Sequence, residues 1–245
     1  FLLIWGGLTW RRNQMWNNDL VLYLDNARHV KADDGFTIAL SKSLIMRKLY
    51  PEAIDVLTKA VEAGAKKVGV YINLSTAYRK NKQPDVAIDA IKTAIERGIK
   101  GRDFKLELAR AYYNLKEYDN AVKFFRSALK DGWRRDLVVK ELGLTLAETG
   151  QFVEAEPYLQ STFKLHPESV TLRIYIAQAK IEKGDMATAE KLIREVVDKS
   201  PNNAAGWYVL GMIGLKSGNE HILNEALEQL SKLDEKQAQK LMELK

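Results

Sequence analysis

The three histidines, at positions 29, 166 and 221, share no metal-binding spacing, and none belongs to an H-E-x-x-H pair one helical turn apart. The chain of 245 residues contains no cysteine, which removes a thiolate metal site, a thiol nucleophile and a disulfide framework together. That absence fits a reducing or an oxidising compartment equally well. Carboxylate pairs do occur: Glu154 with Glu156, and Asp131 with Asp136, have the residue types of an acid and a base. A chain in which 29% of residues are charged offers such pairs by composition, however, and no nucleophile with a positioned base accompanies them. Gly211 and Gly214 lack the strand-then-helix setting of a phosphate loop and read better as small residues where helices approach. Catalytic, cofactor-binding and metal-ligating residues are each read as none, and no cofactor is expected.

With chemistry of that kind set aside, the elements themselves carry the information. A composition of 46% hydrophobic residues with 15 glycines and 5 prolines excludes disorder and a collagen-like chain, and points to a folded, mostly helical protein. The net charge of +6, from 38 basic and 32 acidic residues, does not by itself require a polyanionic partner. The dominant pattern is a period of 34. Ala53, Ala87, Ala121, Ala155 and Ala189 are each 34 residues apart, and 13 residues before each stands Leu40, Leu74, Leu108, Leu142 or Ile176, a series that Leu210 continues. Four residues after each alanine comes Leu57, Ile91, Phe125, Leu159 or Ile193, and three later Ala60, Ala94, Ala128, Thr162 or Val196.

This lattice resembles the tetratricopeptide repeat, a helix-turn-helix unit with the pattern W-x2-L-G-x2-Y, then A-x3-F, then P. Trp207-Tyr208-Val209-Leu210-Gly211 reproduces the opening, Tyr71 with Leu74, Ser75 and Tyr78 is close to it, and Ala121 with Phe125 carries the middle. Small residues such as Ala109, Gly143, Ala177 and Gly211 stand where the two helices of a unit approach. One unit cannot bury its apolar stripe alone, so neighbours must stack. The expected fold is all-α, a right-handed superhelical solenoid of antiparallel helix pairs. Gly64, Gly98 and Gly132 stop the second helix of three units, and His166-Pro167 and Ser200-Pro201 do so in two more.

The repeats are read as 35–68, 69–102, 103–136, 137–170, 171–204 and 205–234, with capping helices at 13–34 and 235–245. In the sixth, Ala226 lies 37 rather than 34 residues after Ala189, so an insertion of about three residues is expected near Gly218 to His221, in a longer loop. Asp234 is a plausible cap for the last helix. Asn73-Leu74-Ser75 is formally a glycosylation sequon, but a mid-helix place beside core Leu74 argues that it stays unmodified.

Residues 1–12 open with Phe1-Leu2-Leu3-Ile4-Trp5 and end in Arg11-Arg12, which looks like the interfacial end of a membrane-spanning helix continued upstream. A buried amphipathic leader is the alternative. Arg12-Asn13, Trp16, Asp19-Leu20, Leu22, Tyr23 and Asp25 also resemble the membrane-to-repeat junction of transmembrane-and-TPR O-mannosyltransferase-like glycosyltransferases. That resemblance implies repeats outside the cytoplasm and transfer chemistry upstream, whereas the positive-inside tendency of Arg11-Arg12 favours a cytoplasmic side.

Function in this fold is expected on the concave face, lined by first-helix residues that point away from the packing stripe. The partner-binding groove is read as Ile38, Lys42, Ile72, Thr76, Arg79, Lys80, Leu106, Arg110, Tyr113, Lys140, Leu144, Gln178, Tyr208 and Met212, with Ile174 beside them. For Ile38, Leu144 and Ile174, filling the interior of the superhelix is an equal alternative. The mixture suits a peptide or helix of a partner protein. Ile72 and Leu106 stand where the family's carboxylate clamp would need lysine, so capture of a C-terminal carboxylate is not expected.

Residues 35–136 hold 21 basic and 12 acidic side chains, which favours an acidic segment in the partner through Lys42, Arg79, Lys80 and Arg110. Aromatic residues interleaved with those cations are few, so RNA binding is the weaker reading. The function expected is a non-enzymatic protein-protein interaction scaffold, membrane-associated through its N-terminal end. The alternative is a substrate-binding or regulatory tail of a membrane glycosyltransferase.

Overall fold

The computed structural model describes residues 33–132 and 135–244, and the expectations for residues 1–12 and for nearly all of 13–34 lie outside them. The chain divides after residue 133 into two compact units. Among the described residues of the first, six helices form three antiparallel pairs: α1 (Asp34–Met46) with α2 (Tyr50–Glu62), α3 (Val68–Lys80) with α4 (Pro84–Glu96), and α5 (Phe104–Asn114) with α6 (Tyr118–Lys130). The second unit repeats the plan with α7 (Arg135–Glu148) and α8 (Phe152–Leu165), α9 (Val170–Glu182) and α10 (Met186–Lys199), and α11 (Ala204–Ser217) and α12 (Glu220–Leu233). A short α13 (Glu235–Met242) closes it. Within each unit the second helix of a pair packs on its own first helix and on the first helix of the next pair, and the first helices α1 and α3, α3 and α5, and α9 and α11 also touch.

The five alanines at 34-residue spacing are all fully buried, as are Leu57, Ile91, Leu159 and Ile193 four residues later. Leu40, Leu142 and Leu210 from the first-helix series are no more than 1% exposed. Burying one such leucine or isoleucine contributes roughly 1.5–3 kcal/mol, and the small alanine beside it lets two helix backbones come close enough for that contact to form. Ala60 alone among the last series is half-buried.

Helices end as the glycines foretell, with Gly64, Gly98 and Gly132 at φ between 69° and 86°. A second left-handed series lies inside the pairs: Lys48, Lys82, Lys116, Gly150, Gly184 and Gly218, again 34 apart, all have positive φ. Each closes its first helix in the same way. The Lys82 N–H donates to Arg79 O and the Gln83 N–H to Tyr78 O, and the Gly184 and Asp185 N–H groups repeat this on Ile181 and Lys180. Because Gly218 keeps this period, the expected insertion near Gly218 to His221 is absent. Only Gly218 and Asn219 separate α11 from α12, and Asn219 caps α12 through its side chain. Ala226 comes late because α12 packs in a different register. A Cβ on Gly214 would stand 2.5 Å from Leu223 N, so here the pair closes on backbone rather than on an alanine at the usual place. Asp234 caps α13, accepting from Gln237 N at 3.1 Å.

Candidate partner-binding faces

On α3 the residues Tyr71, Leu74 and Ser75 are buried against the second helices, and Ile72 and Thr76 turn to the other side, since two positions along a helix rotate it by about 200°. In unit 1 this first-helix face carries exposed Lys42 and Lys80 and half-buried Ile38 and Ile72. Leu106 departs from the expectation: it is 2% exposed and belongs to the core, not to a lining. At the equivalent place two repeats earlier, Ile38 Cδ1 would stand 2.7 Å from a Cβ on Gly69, so there an aliphatic side chain leans onto α3. Ile174 of unit 2 is likewise buried, at 9% exposure.

Three of the expected groove residues converge on a carboxylate that sequence reasoning missed. Glu107 of α5 is buried and accepts from Arg110 Nη1 at 2.7 Å, from Thr76 Oγ1 at 3.3 Å and from Arg79 Nη2 at 3.5 Å. Arg79 Nε is itself buried without a hydrogen-bond partner. Arg79 and Arg110 thus share one carboxylate, which offsets one of their two charges and engages both side chains, so the expected attraction for an acidic segment rests more on Lys42 and Lys80. A signal for Glu107 does exist in the sequence. It precedes stripe residue Leu108 as Asn73 precedes Leu74, and both reach back one repeat. Asn73 Nδ2 donates to Ile38 O at 3.1 Å and to Ser41 Oγ at 2.9 Å, so the sequon asparagine is engaged between helices. Tyr113 is half-buried and packs edge-on against Tyr118, with ring centroids 5.7 Å apart.

In unit 2 Lys140 is exposed, and Leu144, Gln178, Tyr208 and Met212 are half-buried on their first helices. The closing helix covers part of this face, with Lys240 Nζ 5.6 Å above the Tyr208 ring. Glu156 of α8 is buried and bonded by Lys180 at 2.9 Å, by Lys183 and by Gln160 at 2.7 Å. Burial alone would push its carboxyl up, but the hydrogen bonds from Lys183 and Lys180 outweigh this and hold it below its ordinary 4.5. Glu154 beside it is exposed, and Asp131 pairs with Lys105 at 2.9 Å. Among the described residues no three His, Asp or Glu side chains gather as metal ligands, and no helix is long and apolar enough to cross a membrane.

Two sequence models of the tetratricopeptide repeat match residues 72–135 and 146–213, together more than half of the chain. The fold is similar to that of YrrB, described as a TPR protein with an unusual peptide-binding site, with a TM-score of 0.67 and 21% identity over 78% of this chain and 100% of that one. It is also similar to pilF of Pseudomonas aeruginosa, with a TM-score of 0.64 and 16% identity over 85% and 96% of the two chains. A stretch of 78 residues is 27% identical to the Sol locus transcriptional repressor of Clostridium acetobutylicum, which is 32% of this chain and 24% of that protein. The chain thus spans about a quarter of the curated relative it matches.

Proposed function

Since the chain belongs to the tetratricopeptide repeat family, we propose that it is a non-enzymatic protein-interaction scaffold that holds a peptide or helix of a partner against its first-helix faces. The observation that carries this reading is the division of labour on each first helix. Stripe residues such as Leu40 and Leu74 are buried, while Ile38, Lys42, Ile72, Lys140, Leu144 and Met212, outside the stripe, keep part or all of their surface. Half-buried aliphatic side chains beside exposed lysines suit a peptide that buries apolar residues and fixes its direction with charges. The likeness to a fold whose member YrrB is described as having a peptide-binding site adds support. Glu107 lowers the weight of an acidic partner segment and of RNA, because it occupies the two arginines those readings would use. Placement beside a membrane is a further part of the proposal and rests on the apolar run from Phe1 and on Arg11-Arg12 alone. The test is to select peptides on the immobilised protein and map the bound peptide by NMR. Shifts grouped at Ile38, Lys42, Ile72 and Thr76, or at Lys140, Leu144, Gln178 and Met212, support the reading. Shifts confined to the second helices would remove it.

A further inference from the structure

We propose that unit 1 carries a second docking site, on its second-helix side, where a notch between α2 and α4 takes an aromatic side chain of a partner peptide. This inference is independent of the first-helix reading, because the residues involved lie on the opposite side of α3 from Ile72 and Thr76. The notch holds about 180 Å³ and is lined by Thr58 and Val61 of α2, Leu74 and Tyr78 of α3, and Ala90 and Thr93 of α4, among others.

The repeat lattice shows why the space exists and what fits it. Adding 34 to Tyr78 and Ala90 gives Tyr112 and Phe124. There the two rings stack, with centroids 5.4 Å apart and planes within 7° of parallel, so the equivalent space is filled by a phenyl group supplied by α6. The same place carries Val56, Tyr158 and Leu192 in other repeats. Ala226 is the other alanine in the series, but there Gly214 stands for the tyrosine, and the helices close on Leu223 backbone. In α4 the side chain has been cut back to a methyl while the tyrosine beside it is kept. A phenyl group from outside would meet at Tyr78 the flat stacking surface that Phe124 meets at Tyr112, a geometry that adds attraction beyond simple burial. The volume is right for one ring, since a cavity of about 150 Å³ accommodates benzene. Thr58, Asp89 and Thr93 around the apolar floor give the polar rim that a peptide backbone needs, which favours a side chain of a peptide over a free aromatic molecule.

The test follows methyl NMR signals of Thr58, Val61, Leu74 and Val86 in the whole chain while N-acetyl-phenylalanine amide, N-acetyl-leucine amide or toluene is added. The expected result is saturable, ring-current-type shifts with the phenylalanine amide and at least about 5-fold weaker binding of the leucine amide, as an aromatic anchor pocket requires. Ala90→Phe, which fills the notch as Phe124 fills its equivalent, should weaken binding of the phenylalanine amide at least about 10-fold while melting no lower than the wild type. Ala90→Leu, which introduces the residue type already present at the equivalent Leu192, carries the same test should the larger ring disturb the fold. No saturable shift in the wild type, equal affinity in the folded variants, or binding of toluene without the phenylalanine amide would overturn the proposal.

Discussion

Glu107 on α5 receives the guanidinium of Arg79 from the helix one repeat earlier, Nη2 to Oε2 at 3.5 Å, with both side chains no more than 11% exposed. Two residues expected to serve different purposes, one as a groove cation and one not singled out, thus form a bond between repeats. Removing one partner of a buried pair leaves the other charge without compensation. Glu107→Ala should therefore destabilise unit 1 by about 3 kcal/mol, and Arg79→Ala by a similar amount. Lys42→Ala, at an exposed place on the same face, should stay within about 0.5 kcal/mol. Chemical denaturation of the three variants checks this, and equal effects at Arg79 and Lys42 would mean that Arg79 is a free surface cation.

Glu156 makes stability depend on pH in a stated direction. Its folded-state pKa lies below the ordinary 4.5, so the pair with Lys180 and Lys183 stabilises the fold above that value. The contribution is lost as pH falls through the depressed folded-state value. Glu156→Gln should cost about 2 kcal/mol at neutral pH, and the gap between wild type and variant should shrink once the pH drops below about 4.5. A gap that stays constant from neutral to acidic pH would rule out this role for the carboxylate.

Three lysines sit where three glycines sit in the later repeats. Lys48, Lys82 and Lys116 have φ of 62–63°, a region that a side chain occupies at a cost of roughly 1 kcal/mol. Replacing any of them by glycine should raise stability by about 0.5–1 kcal/mol. Gly184→Ala should lower it by about 1 kcal/mol, although no atom lies within 4 Å of the new methyl group. Melting temperatures of the four variants test the backbone argument, and opposite signs would refute it.

Gly211 and Gly214 separate two kinds of close approach. A Cβ at 211 would stand 2.2 Å from Leu241 Cδ2, the end of a side chain, whereas a Cβ at 214 meets the backbone of Leu223 and Asn219. A leucine end can shift and a helix backbone cannot do so locally. Gly214→Ala should cost about 3 kcal/mol, and Gly211→Ala should cost less and loosen α13 first. Hydrogen exchange of the α13 amides reads the difference, and uniform loss of protection in both variants would contradict it.

Much of the fold was legible because a repeat multiplies weak signals. A single buried alanine such as Ala53 says little, but five of them at one period name the contact between helices. Residues that obey the period in type were read correctly, as with Gly64 and Gly98. Lys82 shares a backbone conformation with Gly184 but not a residue type, and lysine does not announce a left-handed turn. The sixth repeat misled because Ala226 was matched by type, while the chain keeps its period at Gly218 and changes helix register instead. The candidate face was less legible. Whether Leu106 lines a surface or fills the core is not decided by its residue type, and Glu107 was hidden among many surface carboxylates.

Photo-crosslinking from defined positions tests the central claim most directly. A photoreactive phenylalanine analogue placed at Lys42, Thr76, Lys140 or Gln178 should crosslink a selected partner peptide, whereas the same group at Glu154 or Lys191, on second helices away from the α2–α4 notch, should not. Crosslinks from the second helices with none from the first would show that these paired helices hold their partner elsewhere.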